Sequence, residues 1–256
     1  MKLAIGGFDG MHYAHQKLFS LSDEILIIEK YSTLTPFETR CEYTNLKCHF
    51  YNLENIKNLS YKEFIYKIKK EFNPSTIVVG YDFKFGKNRS GTPELLKKYF
   101  NVIVIDEIKI DNIGVHSRII REFIKNGEIK KANRFLNHLY KIKANQIEGQ
   151  GIGNKELLPT INLKPIYDYI IPKNGVYLTL LNKEPSITFI GNRSTDNNFS
   201  IETHILTKNY NFKKFDLEFL EFLRETKKFN NINELKKVII TDKEKAINYF
   251  KNKGIL

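Results

Sequence analysis

The chain is poor in the features that would place it outside a reducing, aqueous compartment. It has two cysteines, Cys41 and Cys48, in 256 residues. Two are too few for a disulfide framework, and they form no metal-ligand cluster. No apolar run approaches the ~20 residues of a membrane span, and Met1 leads directly into a strand pattern rather than a secretory leader. A cytoplasmic protein with no membrane partner is expected. A basic tail or stripe is also missing. The formal charge is +12, but most of the 41 basic residues are lysines spread evenly along the chain. Residues 1–138 carry 22 basic and 16 acidic residues, and residues 139–256 carry 19 and 13, so each part is near +6. Nucleic acid is therefore not the expected partner, although a diffuse positive field helps recruit small anions.

The stretch Ile5 to His15 organises the rest. Leu3, Ala4 and Ile5 form a short apolar strand that stops at Gly6-Gly7, and Gly10 precedes a helix-compatible run from Met11 to Ser20. Glycines suit a backbone that must approach a phosphate closely, and a helix start offers unpaired N–H groups and partial positive charge to an anion. His12 and His15 are three residues apart, so on a helix they share a face and can donate to the same phosphate oxygens. In principle this strand, turn and helix start is an ATP-handling arrangement.

Apolar runs at Glu24 to Ile28, Cys48 to Leu53, Thr76 to Val79 and Val102 to Ile105 read as strands. They alternate with helical patterns at Phe37 to Lys47, Ser60 to Phe72 and Pro93 to Tyr99, as in a doubly wound parallel sheet. Ser60 and Glu63 make a capping box. After the Thr76 strand comes Gly80-Tyr81-Asp82-Phe83-Lys84-Phe85-Gly86 and then Gly91, a loop at the carboxyl end of a parallel strand, where open α/β sheets bind ligands. Val115-His116-Ser117-Arg118 with Arg121 opens another helix, and a last one runs from Ile129 to Leu139.

From Tyr140 the periodicity changes. Alternating runs at Tyr140 to Ile147, Gly175 to Leu181, Ile187 to Ile190, Ile201 to Leu206 and Phe215 to Leu223 suggest a small antiparallel barrel. A helix from about Asn233 to Lys253 covers it, with Leu235, Val238, Ile239, Ala246 and Phe250 as its core face. Between the first two runs lies a loop containing Gly149, Gly151 and Gly153, followed by Pro159-Thr160-Ile161-Asn162. Such glycines let backbone N–H groups face phosphates, and Thr160 and Asn162 can reach one Mg²⁺.

Gly6-x-Phe8-Asp9-Gly10-x-His12-x-x-His15 resembles the signature of nucleotidylyltransferases of the FAD synthetase branch, with Ala14 in place of a glycine. Gly80-x-Asp82-Phe83-x-Phe85-Gly86 through Gly91 is similar to a second motif of that branch. Ser117 and Arg121 match a third, where His116 and Arg118 replace a serine and a threonine. Pro159-Thr160-x-Asn162 and Glu202 within Ile201-Glu202-Thr203-His204 resemble riboflavin kinase motifs, with Asn154 and Leu157 departing from the pattern. The chain thus resembles the bacterial bifunctional riboflavin kinase/FMN adenylyltransferase, or FAD synthetase, family.

The resemblance implies a nucleotidylyltransferase domain over 1–139 and a barrel kinase domain over 140–256. It implies ATP and Mg²⁺, with riboflavin, FMN and FAD as substrates and products. By the same resemblance His12, His15 and Arg121 are catalytic in adenylyl transfer, and Glu202 is the general base of the kinase. Gly6, Gly7, Phe8, Asp9, Gly10, Ser117, Arg118, Gly149, Gly151 and Gly153 bind ATP. Gly80, Asp82, Phe83 and Phe85 bind flavin, and Thr160 and Asn162 hold the metal. Two other readings stay open at this point: an adenylyltransferase whose kinase module has decayed, suggested by Leu157 and Asn154, and a noncatalytic nucleic-acid-binding protein, suggested by the charge alone.

Overall fold

Short runs of β-branched and apolar residues form the central strands, because only strands buried on both faces can absorb them without alternation. The architecture is that of a computed structural model, which describes residues 1–148, 158–192, 198–207, 214–229 and 231–256. These divide into two units, Met1–Ile120 with Phe135–Asn137, and Arg121–Arg134 with His138–Leu256.

The first unit runs β1 (Lys2–Gly6), α1 (Tyr13–Phe19), β2 (Glu24–Glu29), β3 (Lys47–Asn52), α2 (Leu53–Ile56), α3 (Tyr61–Phe72), β4 (Thr76–Gly80), α4 (Pro93–Leu96) and β5 (Asn101–Ile105). The sheet order is β3-β2-β1-β4-β5 with every neighbouring pair parallel. Leu3 and Ile5 point to one face with Ile77, Val79 and the α3 residues Phe64, Ile65 and Ile68. Ala4 points to the other with Ile25, Ile27, Val78 and Met11. The order reverses between β1 and β4, which opens a crevice at their carboxyl ends. Ser60 caps α3 in a complete capping box with Glu63, and Asn73 ends it in the left-handed region.

Two local expectations give way to tertiary contacts. Phe37 to Lys47 is not an α-helix but a 3-10 helix, Phe37–Tyr43. Its Arg40 side chain is drawn fully into the interior to bond Thr35 O and Gly7 O, which favours the tighter coil. Cys41 and Cys48 are joined by a disulfide, their Cα atoms 6.3 Å apart. The turn before β3, where Leu46 N–H donates to Thr44 Oγ1 at 3.1 Å, folds one cysteine back on the other.

After β5 come the short hairpin strands β6 (Lys109–Ile110) and β7 (Ile113–Gly114), then helices α5 (Ser117–Lys125) and α6 (Ile129–Leu136).

The second unit is built on β8 (Tyr140–Ile147), β9 (Ile161–Pro165), β10 (Gly175–Leu181), β11 (Glu184–Asn192), β12 (Phe199–Ile205), β13 (Lys214–Arg224) and α7 (Ile232–Asn252). The strands close into an antiparallel barrel in the order β10-β11-β12-β9-β8-β13. The sequence shows five alternating runs, and β9 supplies the sixth strand that closes the ring. Buried hydroxyls tie three of the strands together. Thr179 Oγ1 bonds Ser186 Oγ at 2.8 Å and Thr188 Oγ1 at 2.7 Å, and Thr188 bonds Thr203 Oγ1 at 2.9 Å. All four residues are fully buried, and each hydroxyl is satisfied by another. On α7 only Ala246, Phe250 and Asp242 are buried, while Leu235, Val238 and Ile239 are half-covered. The buried Asp242 binds Arg224 Nη2 at 2.6 Å. No described helix is long and apolar enough to cross a membrane.

Replacing the α3 cap, Ser60→Ala, is expected to lower stability by about 1 kcal/mol, read as a shift of the urea midpoint at constant slope.

Candidate active sites

The crevice at the ends of β1 and β4 is a cavity of about 590 Å³. Gly6, Gly7, Phe8, His12 and His15 enter it from β1 and α1, and Gly80, Asp82, Phe83 and Phe85 from the β4 loop; Ser117 joins at the start of α5. Glycine is required at Gly6, where a Cβ would sit 2.6 Å from the Phe8 ring. Gly10 is needed for its backbone, with φ +88° and a Cβ that would strike Leu34 at 2.8 Å.

His12 and His15 stack with ring centroids 3.5 Å apart and planes 18° from parallel. Phe8 meets His15 edge-on at 5.2 Å, and the Nδ1 of His15 is buried without a hydrogen bond. Burial holds the His15 imidazole well below its usual value, and the positive neighbours His12, Arg40, His116 and Lys30 press in the same direction. His15 is therefore neutral at pH 7.

Asp9 and Gly10 shape the cavity rather than line it. The Asp9 carboxylate accepts from the backbone N–H groups of Leu34 at 3.1 Å and Thr35 at 3.0 Å, and Gly10 N–H donates to Thr35 Oγ1 at 2.7 Å. Ser117 Oγ donates to Asp9 O at 2.7 Å, tying the start of α5 to the glycine turn. Arg40, absent from the sequence expectations, completes this support. Its guanidinium reaches Gly7 O at 2.9 Å and the Glu29 carboxylate at 2.6 and 2.5 Å. Removing Glu29 would leave that cation buried and unpaired, the costly case for a buried ion. No local pattern betrays Arg40, because its partners come from three separate segments.

Phe85 belongs to the core, 6% exposed and packed 5.1 Å from Phe64, and also lines the cavity; Phe83 stacks on it at 5.6 Å. Asp82 is exposed. Lys30 and His116 also line the cavity, with His116 Nε2 3.1 Å from Glu107 Oε1. Arg118 is exposed, and Arg121 is a half-buried residue of the second unit.

In the second unit, register makes the site. Glu202 on β12 lies directly opposite Asn162 on β9, and Thr203 opposite Ile161. Thr203 points inward to the hydroxyl network, so alternation turns Glu202 and Asn162 to the outer face. Thr160 lies two residues before Asn162, and its segment is held by His204, whose Nδ1–H donates to Pro159 O at 2.8 Å. His204 is buried with its Nε2 unpaired. Burial lowers its pKa below the usual value against the opposing effect of the Pro159 bond, and Lys243 adds a smaller push in the same downward direction. Ser200 Oγ donates to Glu202 Oε1 at 2.9 Å. Gly149, Gly151 and Gly153 lie outside the described residues.

Among the described residues no cluster of three or more His, Cys, Asp or Glu side chains is arranged to hold a metal ion. The hydroxyl of Thr160 and the carboxamide oxygen of Asn162, two residues apart at the start of β9, are instead a small set of hard oxygen donors. That set fits Mg²⁺, which keeps several waters and takes further oxygens from substrate phosphates.

The low His15 and His204 values carry a sign for stability. Below about pH 6.5 the unfolded imidazoles take up protons that the folded ones refuse, so stability present above that pH is lost as pH falls. Urea titrations at pH 7.5 and 5.5 should show this loss, and His15→Asn should make it smaller.

Comparison with known proteins finds relatives over most of the chain. Residues 136–250 match the riboflavin kinase family model and residues 40–123 the FAD synthetase model. A bifunctional riboflavin kinase/FMN adenylyltransferase of Buchnera aphidicola is 32% identical over 74% of this chain and 70% of its own length. The enzyme of the same description from Bacillus subtilis is 26% identical over 98% of this chain and 92% of its own. The trifunctional protein RibF/MnmA of Mycoplasmoides gallisepticum is 32% identical over 97% of this chain, which spans 40% of that longer protein. A crystal structure described as a macrolide-efflux protein from Streptococcus pneumoniae superposes with a TM-score of 0.86 over 96% of this chain and 93% of its own, at 22% identity, and shows the shared fold alone. The paired domain matches and the 32% identity to a relative covered over most of its length establish that the chain belongs to the bifunctional riboflavin kinase/FMN adenylyltransferase family.

Proposed function

We propose that the family's two reactions are divided at residues 139–140. Adenylyl transfer to FMN takes place in the cavity at the ends of β1 and β4, and riboflavin phosphorylation on the outer face of β9 and β12. The chain is an ATP-dependent transferase of flavin-cofactor synthesis, making FMN from riboflavin and FAD from FMN. The observation that carries the division is that Gly6, His12, His15, Gly80 and Ser117 line one cavity, while Glu202 and Asn162 face each other in the other unit.

In the cavity, an FMN phosphate oxygen attacks the α-phosphorus of ATP, and pyrophosphate leaves with the electrons of the broken P–O bond. The protein's part is positioning and charge stabilisation. Gly6 and Gly7 let the backbone approach the phosphates. His12 and His15 donate N–H groups to the leaving oxygens, with Lys30 adding a fixed positive charge. Neutral His15 is suited to this role: it costs no buried charge before the nucleotide arrives, and the entering phosphates offset the positive neighbours that keep it neutral. Gly80, Asp82, Phe83 and Phe85 form the flavin side.

On the barrel, Glu202 accepts the proton of the riboflavin 5′-hydroxyl as that oxygen attacks the γ-phosphorus of ATP, and ADP departs. Thr160 and Asn162 would hold Mg²⁺, which when bound neutralises phosphate charge. His204 fixes the Pro159–Thr160 backbone against the strand that carries Glu202.

His15→Ala is expected to lower FAD formation about 100-fold or more while FMN formation stays within about twofold. Glu202→Ala should show the converse. Both follow from chromatography of flavin products after incubation with MgATP, and equal loss of both activities in either variant would contradict separate sites. Arg40→Met should raise the KM for ATP in FAD formation by about tenfold or more, because the half-buried Glu29 carboxylate loses its ion partner and Gly7 its anchor.

A further inference from the structure

Beside the general base stands a hydroxyl that neither the fold nor the domain matches account for. Ser200 is 8% exposed. It sits two residues before Glu202 on β12, on the same face, and its Oγ donates to Glu202 Oε1 at 2.9 Å. Across β11 it faces Gly191, as Glu202 faces Phe189, so neither neighbour there offers the carboxylate a polar contact.

We infer that Ser200 is the positioning residue of the kinase reaction: it holds one carboxylate oxygen of Glu202 so that the other faces the riboflavin hydroxyl. The inference rests on Glu202 being the general base. A carboxylate on a strand rotates freely about its last torsion unless something holds it. A hydroxyl donor fixes that rotation and leaves the second carboxylate oxygen free for the substrate. In the reaction the hydroxyl proton passes to the free oxygen of Glu202 as the flavin oxygen bonds to the γ-phosphorus and the bond to ADP breaks. Ser200 keeps its own proton throughout and touches no reacting atom.

Other groups complete the surroundings of this carboxylate. On β12 the neighbour on the same face is His204, neutral through burial. From β9 come uncharged Asn162 opposite and Lys164 two residues further along that face. From β11 comes Phe189, and from α7 comes Lys243, whose charge bears on His204. Ser200 donates a hydrogen bond to this carboxylate, so its replacement isolates the effect.

The test compares Ser200→Thr with Ser200→Val in the full chain. The two introduced side chains have nearly the same shape and both favour strands, but only threonine keeps the hydroxyl. With riboflavin and MgATP, Ser200→Thr is expected to keep kcat for FMN formation within about threefold. Ser200→Val is expected to lower it by about tenfold with little change in KM. Equal kcat and KM for the two variants, whether both active or both impaired, would overturn the role of Ser200. Glu202→Gln separates this from the underlying reading. If that variant still forms FMN at the wild-type rate, the general-base assignment fails; if it is inactive while the threonine and valine variants match, only the Ser200 inference fails.

Discussion

Register between neighbouring strands is the constraint on which both candidate centres depend. In the first unit, Leu3 pairs with Ile77 and Ala4 with Val78, which brings the ends of β1 and β4, Gly6 and Gly80, to the same edge of the sheet. In the second, the β12–β9 ladder sets Glu202 against Asn162. A slip of one residue in either ladder would turn every side chain to the opposite face, and would send Glu202 into a barrel interior closed by Thr203 and its hydroxyl partners. The buried contacts that fix register, Leu3, Ile5 and Val79 on one side and the threonine network on the other, are thus indirect determinants of the chemistry.

Buried polar groups do a second kind of work in the first unit. Arg40 and Asp9 are both almost fully interior, and both bond backbone: Arg40 reaches Gly7 and Thr35 while pairing with Glu29, and Asp9 reaches Leu34 and Thr35. The turn at the cavity is thereby fixed from behind, leaving its cavity face to glycines and imidazoles. Preorganisation of this kind is what phosphoryl and nucleotidyl transfer ask of a protein, since little covalent chemistry falls to it.

The sheet and most of the barrel are legible in the sequence because their signals are local. The runs at Thr76 and Tyr140 carry their periodicity within a few residues, and the Ser60 to Glu63 cap is complete in four. Gly6 to His15 and Gly80 to Gly91 stand out for the same reason, as their chemistry is concentrated at strand ends. Asp9 is visible as a motif residue, but its part in holding residues 33–35 is not, because its partners lie about 25 positions away. Arg40 is invisible: a charged residue in a helical pattern reads as solvated until Glu29, Gly7 and Thr35 are known to surround it. Ser200 and His204 are hidden by alternation, since polar residues on a strand ordinarily face water, and only the pairing of β12 with β9 shows that Glu202 and Asn162 share this face. Phe85 appears as a ligand-facing aromatic in the motif, yet most of its ring serves the core.

The central claim is that one chain holds two separate ATP sites, one at the β1–β4 crevice and one on the β9–β12 face. Calorimetric titration of the whole protein with a nonhydrolysable ATP analogue and Mg²⁺, in the presence of flavin, tests it most directly. The account predicts two equivalents bound per chain, one of them lost in His15→Ala and the other retained. Saturation at a single equivalent in the unaltered protein would contradict it.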